Sequence, residues 1–409
     1  MSEKLFSPQL IAWAMERTGM DIAELAGRMK ATPEKLEAWR NGKAYPTFAQ
    51  AEKLAKAAYV PVAFLMLGKV PQMIEGMTDF RTHDSRPLSN QSPALEAAIL
   101  DARACQDWYR DYLEKNGVDK NDFAGCLRKV DDPDRAAEAI KASLGIDALR
   151  KEAKTVEQYL SRLVFKIEKD LGVCVMRAGH VKNNPRRTLK PEEFRGFALA
   201  DAVAPLIFVN SRDGAAAQVL TVVHELIHIA RNESGVSADA LLSHEERYAN
   251  AVAGGVLIPT EMLQHLQGAD EVLEAARVTA ARLNVSAWAV LTRGLRMGIV
   301  SQEAYRRAVG VIKQTRAEAS IKGKKKQRGS GFYVQKLDAL GRNLSCAMLS
   351  AVNARELLYR DLWTLSGIKP AQVSSFMREH GNRLTISTLP ACKAGDFPHA
   401  RPCRPSSRA

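Results

Sequence analysis

The side chains best suited to chemistry stand together in residues 215–233, AAAQVLTVVHELIHIARNE, which hold His224, Glu225 and His228. Residues four apart on a helix lie on one face, one turn above the other. His224 and His228 can therefore aim ring nitrogens at a single ion. Val219, Leu220, Val222, Val223, Leu226, Ile227 and Ile229 surround them and mark a buried helix. Two imidazoles and a carboxylate are costly in that setting unless something satisfies them, and a metal does so for all three. This donor set suits Zn2+, which in catalytic sites takes three protein ligands and leaves one position for water. Glu225 follows the first ligand directly, so it can reach that water as a general base without ligating. The bland alternative is a chance match of three residues on a core helix.

The arrangement is the HExxH pattern of zinc metalloproteases, and it needs a third ligand. SHEERYANAVAGGVLIP, residues 243–259, supplies His244, Glu245 and Glu246. Ala249, Val252, Ala253 and Leu257 mark the buried face of this second helix. Glu246 and Asn250 lie nearly on that face, and Glu245 is turned outward. Glu246 is the expected ligand, with His244 second. His244, Tyr248 and Arg195 are candidates for contacting the transition state or the substrate, since such an enzyme needs a group besides the metal to stabilise an oxyanion. For each of them a surface or bracing role is the alternative.

The elements that must position these groups are also readable. The histidine helix is expected to follow Asp213 as its N-cap. Three short β-like runs precede it, at 173–177, 195–200 and 205–210. The last, PLIFVN, is either an ordinary core strand or an edge on which an extended substrate segment pairs. A helix near 153–171 comes before the strands, and the second helix, near 243–258, stops at Pro259. Residues 93–148 look helical, with Trp108, Tyr109 and Tyr112 as core candidates.

Residues 8–68 read as short helices. DIAELAGRM places apolar residues on one helix face, and Thr32, Pro33 and Gly42 cap and close the next helix. A helix, a short turn and a capped helix make a helix-turn-helix pattern. It resembles the lambda-repressor-like (Xre) DNA-binding domain, which lays the 33–40 helix in the major groove. Lys35, Arg40, Asn41 and Lys43 are the candidate DNA contacts. Against this, Glu34 and Glu37 repel phosphate, and residues 1–70 hold ten Lys/Arg to seven Asp/Glu, net +3, a weak attraction to DNA. The other reading is a domain that recognises protein.

FRGFALAD, PLIFVNSRD, VLTVVHELIHIA and EERYANAVAGGVLIP resemble, in this order and spacing, the ImmA/IrrE metallopeptidase family. That family joins an HExxH helix to a second helix carrying ExxAN, here Glu246-Arg247-Tyr248-Ala249-Asn250. The resemblance implies Glu246 as third zinc ligand. It extends to the Xre-like start and to Asp79-Phe80-Arg81, and it covers about residues 8–378. Val252 stands where the family usually has Phe. The resemblance further implies regulated cleavage of a helix-turn-helix repressor or antitoxin, controlling a mobile element, a toxin–antitoxin pair or a stress response. The expected fold is α+β, mainly α: an N-terminal helix-turn-helix bundle, a zincin-like peptidase domain with a small sheet and the HExxH helix, and a C-terminal helical region. A DNA-binding, antitoxin-like transcription regulator with a structural zinc is the alternative. An intact Glu225 favours the enzyme, because a structural site has no use for a non-ligating carboxylate.

The expected divisions are an Xre-like domain at 1–70, a linker and helical segment at 71–148, the metallopeptidase domain at 149–300, a basic linker at 301–330, a C-terminal helical region at 331–380 and a disordered tail at 381–409. The length of 409 residues calls for more than one core. The net charge of +13 is uneven: 301–330 alone carries nine Lys/Arg against two Asp/Glu. Lys322–Arg328 has no interleaved aromatic for base stacking, so a solvated linker is favoured over a nucleic-acid site. The six cysteines show no CxxC, so neither a thiolate zinc site nor a disulfide framework is indicated. No apolar run is long enough to span a bilayer and the start lacks the features of a signal peptide. A cytoplasmic protein without a membrane partner is expected.

Overall fold

The computed structural model describes residues 5–18, 20–58, 60, 62–67, 92–183, 187–233, 244–268, 271–321 and 331–385. Asp79-Phe80-Arg81, the basic run 322–328, the start of the expected 71–148 segment up to residue 91, and the tail from 386 lie outside these residues. The chain divides into two compact units, residues 1–78 with 88–99, and residues 79–87 with 100–409.

The first unit contains α1 (Pro8–Arg17), α2 (Ile22–Met29), α3 (Pro33–Arg40) and α4 (Phe48–Ala58). The Asp21 carboxylate accepts from the Glu24 amide at 2.7 Å and starts α2, while Lys30 in a left-handed conformation ends it. Thr32 caps α3 in the same way through the Lys35 amide, with Pro33 at the first helical position. Leu10, Ile11, Leu25, Leu36, Trp39, Leu54 and Leu65 form a closed core. Thr32 as the cap of α3 and Pro33 at its first position are as expected from the sequence, while the caps of α2 were not foreseen.

In the second unit come α5 (Pro93–Lys115, counted here from Leu100), α6 (Pro133–Leu144), α7 (Ile146–Glu152) and α8 (Val156–Leu171). They are followed by β1 (Cys174–Ala178), β2 (Gly196–Leu199), β3 (Leu206–Asn210), α9 (Ala215–Arg231) and α10 (His244–Leu257). The sheet order is β1-β3-β2, with β1 parallel to β3 (Cys174 beside Leu206) and β2 antiparallel to it (Phe197 beside Phe208). β3 is thus central and buried along its length. Both of its edges already carry hydrogen bonds, so the alternative of PLIFVN as a docking edge is overturned and the core-strand reading holds.

Tyr159, Leu163 and Ile167 of α8, Val222, Val223, Leu226 and Ile227 of α9, and Val252, Val256 and Leu257 of α10 share one core with Ile207 and Val209 of β3. Removing each such side chain from water contributes about 1.5–3 kcal/mol. The last helices of this region are α11 (Val272–Leu283), α12 (Ala287–Arg296) and α13 (Gln302–Ile321). From α12, buried Arg293 reaches back to the Ala251 carbonyl at 3.4 Å and lies along Gly254 and Gly255.

Beyond these, α14 (Phe332–Leu340), α15 (Arg342–Asn353), α16 (Tyr359–Ser366) and α17 (Val373–Thr385) belong to the same unit. The sequence reading sets this stretch apart from 149–300, but specific contacts join the two. Buried Glu168 of α8 accepts the Arg342 amide at 2.8 Å and so caps α15. Gly341, at φ 77°, makes that approach: a Cβ there would meet Glu168 Oε1 at 2.6 Å and the Val175 carbonyl at 2.8 Å. Arg177 of β1 pairs with Asp338 of α14 at 2.9 Å. Among the described residues, no helix is long and apolar enough to cross a membrane.

Candidate metal centre

α9 carries His224, Glu225 and His228, and α10 carries Glu246. α9 starts one residue later than expected: Gly214 is its N-cap, and Asp213 instead accepts the Gly214 amide and faces Arg195 at 3.5 Å. The helix is held against the sheet by its apolar face, and α10 packs beside it. This brings His228 Nε2 to 3.2 Å from His224 Nε2 and 3.1 Å from Glu246 Oε1, with His224 Nε2 3.2 Å from Glu246 Oε2. His228 and Glu246 are buried, and His224 is partly so.

Three donor atoms from two helices converge within 4.8 Å of one another and could hold a metal ion. Ligand atoms about 2.0–2.1 Å from a tetrahedral Zn2+ stand roughly 3.3 Å apart, and the spacings found here match that edge. The carboxylates around the imidazoles favour positive charge at this point. Burial opposes charge on His228, yet hydrogen bonds to Glu233 and Glu246 and the nearby Glu225 raise its pKa to about 10. Burial likewise works against a charged Glu246, but both imidazoles hold its carboxyl well below the usual carboxylate range. Glu225 is buried on the same helix, and its Cγ would lie 3.3 Å from a Cβ built at Gly196 of β2. The donor set therefore fits a divalent ion.

The secondary candidates are placed elsewhere. Tyr248 is buried and donates its hydroxyl to the Val130 carbonyl at 2.6 Å, so it braces the 123–131 segment and its assignment to an oxyanion is corrected. It stands two residues after Glu246, which on a helix turns it about 200° from the ligand face. His244 is exposed at the first position of α10. Arg195 pairs with Asp213 rather than joining the histidine–glutamate group. On or just after α3, Lys35, Arg40, Asn41 and Lys43 are exposed, but Arg40 lies 3.7 Å from Glu16 and 3.8 Å from Glu37, and Asn41 bonds Glu37 at 3.4 Å.

Sequence reasoning missed Glu233 and Arg231. Asn232, left-handed at φ 55°, turns the chain so that the Glu233 amide bonds the His228 carbonyl at 2.9 Å. The Glu233 carboxylate then accepts from His228 Nδ1 at 3.4 Å and from Arg231 Nε at 3.0 Å. The one signal in the sequence was a carboxylate five residues after the second histidine.

With that geometry in hand, residues 168–293 match the Peptidase M78 family model, described as the IrrE N-terminal-like domain. The matched stretch spans β1 to β3, α9 and α10, and so contains all three members of the cluster. No curated protein and no solved structure matches the chain.

Proposed function

We propose that this protein is a cytoplasmic zinc-dependent endopeptidase that cleaves a helix-turn-helix repressor or antitoxin. The observation that carries the enzymatic reading is the convergence of His224, His228 and Glu246 with the buried, non-coincident carboxylate of Glu225 one residue from the first histidine. The match of 168–293 to a peptidase family supports it.

In this reading His224, His228 and Glu246 would hold the ion, which when bound would supply Lewis acidity toward the scissile carbonyl and bring the pKa of water towards ~7. Glu225 takes the proton of the attacking water and passes it to the leaving amide nitrogen. Its burial keeps the proton transfer away from bulk solvent. An extended substrate segment fits the β2 side of the sheet, because Gly196 of β2 adjoins Glu225 and β3 is taken.

Co-expression with a helix-turn-helix protein encoded beside it tests this, comparing the wild type with Glu225→Gln. Cleavage by the wild type alone is expected, with metal retained in both. Equal cleavage by both would sink the assignment.

A second reading has the first unit place the enzyme on DNA. It is supported by exposed Lys35, Arg40, Asn41 and Lys43 on or just after α3, and opposed by Glu34 and Glu37 in the same place. Fluorescence anisotropy with duplex DNA decides: binding lost in a Lys35→Ala, Lys43→Ala protein supports it, and equal binding rejects it.

A further inference from the structure

The histidine of α9 nearer the helix end is held by a network outside the ligand set. Glu233 Oε2 accepts from His228 Nδ1 at 3.4 Å, and Glu233 Oε1 accepts from Arg231 Nε at 3.0 Å. Arg231 is anchored in turn. Its Nη1 donates to the Leu127 and Val130 carbonyls, each at 3.3 Å, and its guanidinium lies 4.7 Å from the Tyr248 ring. Tyr248 donates to that same Val130 carbonyl. The 123–131 segment also closes the end of α9, with the Gly125 amide on the Ile229 carbonyl at 3.0 Å and the Leu127 amide on the Ala230 carbonyl at 2.8 Å.

From this geometry we infer that Glu233, braced by Arg231, is the positioning residue that fixes the His228 ring with its proton on Nδ1 and its Nε2 lone pair toward Glu246 and His224. The inference rests on the proposed metal centre. An imidazole presents one nitrogen to a metal only when the other carries the proton, and an acceptor on that proton sets both tautomer and ring orientation. Here the acceptor is not carried by a distant loop. It is delivered by a single left-handed residue, Asn232, five positions along the same chain. Arg231 serves two helices at once: through Glu233 it reaches a ligand of α9, and through Tyr248 it touches α10 two residues after Glu246. One guanidinium thereby links the two helical origins of the cluster.

The test is metal affinity, read by competition of Zn2+ with a chromophoric chelator on the full chain, together with the absorption spectrum of the Co2+-loaded protein. Glu233→Ala is expected to bind Zn2+ about 10–100-fold more weakly and to alter the Co2+ spectrum. Glu233→Gln keeps an oxygen acceptor for Nδ1–H and is expected to recover most of that affinity, which a merely structural loss would not do. Being nearly isosteric, it also keeps the question open to decision if the alanine protein misfolds: a Glu233→Gln affinity about 10-fold or more below that of the wild type would overturn the orienting role. Wild-type affinity in Glu233→Ala overturns it as well. Failure of the wild type to bind Zn2+ or Co2+ at all would instead remove the metal-centre reading beneath it.

Discussion

Gly196 of β2 lies directly against Glu225 of α9: a Cβ at Gly196 would stand 3.3 Å from Glu225 Cγ and 2.6 Å from Thr221 Cγ2. The close approach sets the distance between the sheet and the helix that bears the histidines. Gly196→Ala would also press the Phe208 carbonyl, 2.8 Å from the new carbon, so the strand cannot yield toward β3. The expected loss is about 1–3 kcal/mol of stability, as for other overpacked sites. Thermal unfolding checks it, and an unchanged midpoint would show that the two layers are looser than described.

Glu168 makes stability depend on pH. Burial pushes its carboxyl up to about 7, against hydrogen bonds from the Arg342 and Asn343 amides that act the other way. The folded protein therefore holds this proton more tightly than the unfolded chain. Its stabilising contribution is complete below the ordinary value of 4.5 and is lost as the pH rises through about 7. Glu168→Gln keeps an acceptor for the α15 amides and cannot ionise. Between pH 5 and 8 the stability of Glu168→Gln relative to wild type should rise, by at most about 3 kcal/mol. Urea titrations at several pH values measure it, and a constant difference would contradict the buried acid.

The histidine–glutamate cluster was readable because helical spacing and burial are local properties. His224 and His228 are four apart, apolar neighbours surround them, and Ala249, Val252 and Ala253 orient the Glu246 face. The three strands were readable for the same reason. What was not readable depends on chain reversal and long-range contact. Glu233 meets His228 only because Asn232 turns left-handed and the 123–131 segment closes α9. Tyr248 looked like a site residue by proximity in sequence, but its helical phase carries it to Val130. The attachment of α14 and α15 to β1 and α8 rests on pairs such as Glu168 with Arg342, far apart in the chain, that no local pattern announces.

Gly27 offers a stabilising change in the first unit. It is exposed within α2, and a Cβ there meets nothing within 4 Å. Alanine restricts the unfolded chain and favours the helix, worth about 0.5–1 kcal/mol. Slower hydrogen exchange of the Leu25 and Ala26 amides in Gly27→Ala is the expected result. Faster exchange would mean that the glycine relieves a strain in α2.

Adjacent carboxylates on α10 separate the proposed ligand from a bystander. Glu246 is 5% exposed, and its two oxygens reach both imidazoles, whereas neighbouring Glu245 is exposed to solvent. One step along a helix turns a side chain by about 100°, so the two cannot exchange roles without rotating α10. α10 is packed closely on α6, where a Cβ at Gly255 would come 2.8 Å from Ala137 Cβ. Glu246→Gln removes an anionic ligand and should weaken Zn2+ binding by more than about 100-fold, beyond the usual effect of losing an outer partner. Glu245→Gln should bind as the wild type does. Chelator competition on both proteins decides, and equal affinities would mean that the third ligand has been assigned to the wrong side chain.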